Sequence, residues 1–308
     1  VIITTCPRAV HNGVWRHLKE LEDSTLMSTH FDSEDLVNGF PNGTSLVISG
    51  GGWIDKYRRI NEIAITNNIK TGLLFCSPFG QADLNNEQMS LLNAVDLLMF
   101  KKIDYLFTGD KIVADVLCKV LDTDKIMWLP QTMDHVKVKM VDNCVENTVG
   151  LFGNTNRNKN ILNQLIGAKL ADRRLIINCL DDNMKQVANE FNIDYDRYNW
   201  LSDKDYVKLM ETPQVGLQVS WSESFDYVAA EMSLRGIPVV TGETIYWNLK
   251  SLRVSKEDDP REIAKKINFA FDNLNKKGFR QSVRDNIVKE LDYRSNYTRK
   301  LFKELLNK

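Results

Sequence analysis

Short apolar, β-branched runs alternate along this chain with longer segments whose apolar positions recur at helical spacing. The runs are "VIITTC" (1–6), "SLVIS" (45–49), "TGLLFC" (71–76), "DYLFTG" (104–109) and "IMWLP" (126–130). They resume with "TVGLFG" (148–153), "RLIINC" (174–179), "VGLQVS" (215–220) and "IPVVTG" (237–242). Strands this continuously apolar are buried on both faces. Helical patterns such as "GVWRHLKELED", "NKNILNQLIGAKLAD", "DKDYVKLMET" and "PREIAKKINFAFDNLNKK" lie between them. The alternation predicts an α/β fold of parallel sheets covered by helices on both sides.

A length of 308 residues suits two such domains rather than one core. The polar stretch "DHVKVKMVDNCVEN" (134–147) precedes a fresh strand-turn-helix series. It predicts Rossmann-like halves over 1–143 and 144–292, with a terminal helix over 293–308.

Composition then removes several classes of function. With 40 basic and 41 acidic side chains the net charge is −1, so nothing global draws the chain to nucleic acid or an anionic membrane. A local basic groove stays compatible with that balance. Five scattered cysteines without a Cys-x-x-Cys pair argue against a disulfide framework and a structural zinc site. No apolar run approaches the ~20 residues that cross a bilayer. The chain opens on a strand with no signal-peptide pattern, which predicts a soluble, cytoplasmic protein with a few residues missing in front. Asp-x-Asp occurs at Asp122/Asp124 and at Asp194/Asp196, in polar stretches where turn aspartates are ordinary. No metal site is expected.

The chemistry concentrates in "SWSESFDYVAAEMSLRGIPVV" (220–240). Glu223 falls in a loop after a buried strand, and Glu231 falls on the helix that follows. Ser222 or Ser224 can cap that helix, and Gly236 with Pro238 ends it. From Phe225 to Glu231 the rise is ~9 Å, comparable to the reach from a sugar across a diphosphate to a ribose. First-turn amides suit phosphate or polar sugar groups between the two acids. Standing alone, the pair reads more simply as a loop acid and a solvated helix residue.

The wider pattern resembles the Glu-x7-Glu signature of glycosyltransferase family 4, whose members are retaining enzymes of the GT-B fold. Ser220, Glu223, Phe225, Glu231, Gly236, Pro238, Val239 and Val240 match in register. "VGLFGNTNRNKN" (149–160) resembles the family's phosphate-binding loop, with Lys159 on its lysine, Asn154 in place of its arginine, and Arg157 nearby. "DKIMWLPQTMDH" and "NWLSDKDYVKLMETPQVGLQVS" resemble its linker and its base-contacting segment.

The resemblance implies two Rossmann-like domains facing each other across a cleft, the first binding the acceptor, with the terminal helix packed back on it. It implies a UDP- or GDP-sugar donor as co-substrate, with no bound cofactor. Glu223 would hold the transferred sugar, Glu231 the ribose, and Lys159 with Arg157 the diphosphate. Ser224, Phe225, Asp226, Gly153, Asn154, Trp200, Leu201 and Gly13 complete the implied donor-binding set. Ser224 and Asp226 stand where the family has glycine, and "LLFCSPFGQ" offers Cys76 and Ser77 where it often has histidine.

"CPRAVHNGVWRHL" and "ISGGGWID" supply the acceptor candidates His11 and Trp53. The triple glycine of the second is either a tight strand-to-helix turn or an acceptor or phosphate loop. The expected acceptor is a glycan or other hydroxyl. The Asn-, Lys- and Ile-rich composition suits an AT-biased, viral genome, which makes a modified DNA base a minority alternative. From a different class, the lost histidine and glycines also suit a catalytically silent nucleotide-sugar-binding scaffold.

Overall fold

The computed structural model describes residues 2–5, 26–29, 40, 42–50, 62–178, 180–199 and 201–307. The chain divides into two compact units, one formed by 1–134 with 291–308 and the other by 135–290.

The first unit carries β1 (Ile2–Thr5), β2 (Leu26–Thr29), β3 (Leu46–Gly50), β4 (Lys70–Phe75), β5 (Tyr105–Thr108) and β6 (Ile126–Trp128). They form one sheet in the order β2-β1-β3-β4-β5-β6, with every pair parallel. Helices α1 (Phe79–Leu84), α2 (Gln88–Met99) and α3 (Lys111–Leu121) fill the connections after β4 and β5. Asp110 starts α3, its carboxylate accepting the Val113 amide at 2.9 Å. Phe75, Leu106 and Ile126 pack against Ala94, Leu98, Val113 and Leu117 on the helices. On the opposite face Ile2, Ile48, Leu74 and Phe107 meet Leu301, Phe302 and Leu305 from the end of the chain. Gly72 permits this layer: a Cβ there would lie 2.5 Å from the Phe107 ring.

The second unit carries β7 (Val145–Leu151), β8 (Arg174–Ile177), β9 (Tyr195–Arg197), β10 (Pro213–Gln218), β11 (Val239–Gly242) and β12 (Arg253–Val254). Their order is β12-β11-β10-β7-β8-β9, again all parallel. Counted from β7, this is the doubly wound order of dinucleotide-binding sheets, and the winding reverses between β7 and β10. Helices α4 (Ile161–Leu170), α5 (Asp182–Glu190), α6 (Asp203–Met210), α7 (Tyr227–Leu234) and α8 (Pro260–Asn273) complete the unit. Leu165 and Ala168 of α4 and Ile263, Ile267 and Ala270 of α8 bury against Val149, Leu151, Val215 and Leu217. Each fully buried aliphatic side chain contributes about 1.5–3 kcal/mol.

The nine strand-like runs all become parallel strands, with ends displaced by up to three residues. The terminal helix differs more. Helix α9 spans Phe279–Leu306, 28 residues, and not just the last segment. Its first half belongs to the second unit, where Val283 and Ile287 are buried one turn apart. There Arg284 donates to the Leu234 and Val138 carbonyls, and Arg280 to those of Gly236 and Val141. Its second half carries Arg294, wholly buried in the first unit. The Arg294 guanidinium lies 5.6 Å from the Trp128 ring centre and donates to the Gln131 carbonyl at 3.4 Å.

Candidate active site

Two loops meet where the second sheet reverses its winding. One leaves β7 and runs through a 3-10 turn, Arg157–Lys159, before Asn160 takes a left-handed φ of 53° and α4 begins. The other leaves β10 and ends at Asp226, the N-cap of α7. The Trp221 amide donates to the Asn158 carbonyl at 2.9 Å, tying the loops directly.

The side chains that converge there are Lys159, Glu223 and Asp226. Lys159 Nζ lies 2.5 Å from Glu223 Oε1 and 3.5 Å from Asp226 Oδ2. All three are nearly enclosed, with side-chain exposures of 16%, 9% and 1% in that order. Burial alone would lower the Lys159 pKa, but the two carboxylates overcome it and hold the ammonium well above its usual range. Burial pushes the Glu223 carboxyl up, and Lys159 only partly opposes it.

The helix start differs from expectation. Asp226, not Ser222 or Ser224, caps α7, its carboxylate accepting the Ala229 amide at 2.8 Å. Its backbone holds φ 62° and ψ 91°, which delays helical geometry past both serines. Ser222 is buried, and its carbonyl accepts the Asn158 side-chain amide at 3.0 Å.

The remaining candidates fall into three groups. Glu231 is the fifth residue of α7, 9% exposed, about 7.5 Å along the helix from its cap. Arg157 is exposed, and its guanidinium forms no ion pair with any described residue. Gly153, Asn154, Ser224 and Leu201 lie on loops outside the ion-paired cluster. Gly153 has φ 135°, and its amide donates to Asn178 at 3.0 Å. Asn154 turns its own loop by accepting the Asn156 amide. The Phe225 ring is buried against Tyr227 and Trp247, and the Trp247 indole donates to the Phe225 carbonyl at 2.8 Å, so this side chain belongs to the interior. His11, Gly13, Trp53 and Trp200 lie outside the described residues.

Neither Asp-x-Asp pair gathers into a cation site. Asp122 is the left-handed C-cap of α3, and Asp194 and Asp196 flank Arg174 at 3.8 and 2.5 Å. Among the described residues no group of three or more His, Cys, Asp or Glu side chains is placed to hold a metal ion.

Two supporting residues escaped the motif. Asn158, 2% exposed, donates to Glu223 Oε1 at 3.2 Å as well as to Ser222. Gln164, 1% exposed, accepts the Val219 amide at 2.8 Å and donates to the Lys159 carbonyl at 2.6 Å. One side chain on α4 thereby braces both loops. Its sequence signal was a glutamine on the apolar face of "ILNQLIGAKL", where only a satisfied amide is tolerated. Gln164→Leu keeps the volume and orphans both backbone groups, so it is expected to cost about 1–3 kcal/mol per group in urea unfolding. A loss below ~0.5 kcal/mol would show that water replaces the amide.

No protein-family model and no curated protein sequence matches the chain. Solved structures do. HepE of Anabaena, crystallised with UDP, superposes with a TM-score of 0.71 at 13% identity over 99% of both chains. A glycosyltransferase from Rickettsia africae superposes with 0.68 at 12% identity, over 99% of this chain and 98% of its own. TarM gives 0.69 at 14% identity, over 90% of this chain; the chain spans 57% of TarM's length. A point mutant of S. aureus TarM has been crystallised with UDP and alpha-GlcNAc-glycerol. At these identities the likeness is one of fold, and the fold is GT-B, two Rossmann-like halves on one chain.

Proposed function

We propose that this protein is a glycosyltransferase of the family 4 type. It moves a hexosyl or pentosyl group from a UDP- or GDP-sugar to a hydroxyl of a glycan acceptor, with retention at the anomeric carbon. The observation that carries the reading is the enclosed Lys159–Glu223–Asp226 cluster at the strand reversal of the second sheet. Ligands of doubly wound sheets bind at that position. The UDP in HepE and TarM supports a nucleotide donor, and the sugar-bearing ligand of TarM supports a glycan acceptor rather than DNA.

In this reading Glu231 binds the ribose and Glu223 the sugar hydroxyls. Arg157 and Lys159 face the diphosphate, whose negative charge grows as it leaves; fixed cations in a water-poor site stabilise that charge. No step in this scheme calls for a metal, and turnover in EDTA tests that part.

The experiment is a thermal-shift and calorimetric screen of UDP, GDP and their sugars, followed by donor turnover. A ligand at 100 times its Kd stabilises the fold by about 2.7 kcal/mol. Wild type is expected to bind one nucleotide and hydrolyse or transfer its sugar, with Glu223→Ala and Lys159→Ala at least ~100-fold slower. Binding without turnover of any donor would favour the silent scaffold. No nucleotide binding at all would overturn the reading.

A further inference from the structure

One ammonium, Lys159, is shared by two enclosed carboxyl groups, Glu223 and Asp226. Two acids on one cation is an odd composition for a pocket that receives a diphosphate. Lys159 is the cation closest to the sugar-binding acid, and it is already doubly engaged.

Asp226 is also an expensive choice for its other duties. It caps α7 through one carboxylate oxygen at φ 62°, and Asn caps a helix equally well. Asn tolerates positive φ at least as readily, and glycine more so. Among these residues only aspartate adds a charge, buried at 6% exposure within reach of a second carboxylate through their common lysine. A buried charge of that kind lowers stability unless it is compensated. The cap and the backbone explain a small polar residue here, and the helix dipole offsets only a small part of the cost of burying a charge; the charged side chain that Asp226 pairs with is Lys159.

We propose that Asp226 is a positioning residue that restrains Lys159. By holding part of the ammonium's field it weakens the site's grip on nucleoside diphosphate, and so speeds departure of the spent nucleotide after transfer. The proposal rests on the donor reading given above. Glu223 faces the sugar in that reading, so its charge has a second use; the Asp226 charge faces Lys159 and the first-turn amides of its own helix.

The test compares wild type, Asp226→Asn and Asp226→Gly in calorimetric titrations with UDP and with uridine. Asn preserves the cap and the backbone, whereas Gly relaxes the backbone and drops the cap, so the two variants differ in stability but share the lost charge. Both are expected to bind UDP about tenfold more tightly. That is the size of removing one unit charge about 10 Å from an anion at an effective dielectric of about 20. Uridine, which lacks phosphates, is expected to bind all three alike, an outcome that a merely structural role for Asp226 would not give. In steady-state turnover, UDP is expected to become a correspondingly stronger product inhibitor of Asp226→Asn.

UDP affinity unchanged or weakened in both variants would overturn the proposal while leaving the donor reading intact. Equal tightening of UDP and uridine would overturn it too, as a reshaped pocket. Failure of wild type and variants alike to bind UDP, GDP or uridine would remove the donor reading and this inference with it.

Discussion

Lys159→Met is expected to destabilise the second unit by about 3–5 kcal/mol at pH 7, the usual cost of deleting one partner from a buried ion pair. The thioether fills most of the lysine's volume, so the loss is electrostatic: Glu223 and Asp226 stay enclosed with no cation. The pH dependence carries the signature. In wild type the Lys159 pKa is raised by its partners, so its contribution is complete below the ordinary value of 10.5 and is lost as pH rises beyond it. The variant lacks that alkaline limb. Glu223 is already raised by burial, and without the ammonium it resists ionisation further. A raised acid favours the folded state at low pH, so the variant is expected to recover stability as pH falls from 7 towards 4.5. Urea unfolding at pH 4.5, 7 and 10.5, with Glu223→Gln as the second arm of a double-mutant cycle, measures both effects. Coupling below ~0.5 kcal/mol would mean that the residues do not act as a pair.

The second large effect belongs to the other unit. Arg294→Ala is expected to cost about 3–5 kcal/mol there, because it removes the largest fully buried side chain among the described residues and leaves a void beside Trp128. It also removes the hydrogen bond to the Gln131 carbonyl. Asp110 supplies an internal check. Its pKa is raised, chiefly by burial, while the Arg294 charge pulls it down. Ionised Asp110 is therefore the form that Arg294 stabilises. The penalty of Arg294→Ala is expected to be smaller below the titration of Asp110, where that carboxyl is neutral, and to grow as pH rises through it. A penalty equal at pH 3.5 and pH 7 would show that the two groups do not communicate. Arg294→Met, which refills the volume without charge, is expected to recover part of the loss.

The fold was legible because buried parallel strands announce themselves: "SLVIS", "TGLLFC" and "IPVVTG" carry apolar residues on both faces. The strands that escaped are the ones without that signature. β2 reads Leu-Met-Ser-Thr, β9 reads Tyr-Asp-Arg and β12 is two residues long, and all three lie at the edges of their sheets. The early start of α9 was hidden for a related reason. Its apolar positions Val283, Ile287 and Leu291 are diluted by arginines whose stems and heads serve the interior.

At the site, Glu223 and Asp226 come from the Glu-x7-Glu segment and Lys159 from the phosphate-loop segment, and the structure brings the three together. Their mutual pairing was not readable, since the resemblance gives Lys159 and Glu223 each to a ligand and has glycine where Asp226 stands. The cap at Asp226 was missed because Ser222 and Ser224 satisfy the same sequence rule. Only the positive φ decides among the three.

Helix α9 also orders events during synthesis. Residues 135–290 form the second unit from one uninterrupted stretch, so it can close as soon as that stretch has left the ribosome. The first unit emerges earlier yet waits longer, because Leu301, Phe302 and Leu305 seal one face of its sheet. Nascent chains thus pass through a stage in which the earlier-made half is still ajar, an apolar sheet face awaiting its lid, and aggregation is most dangerous at that stage.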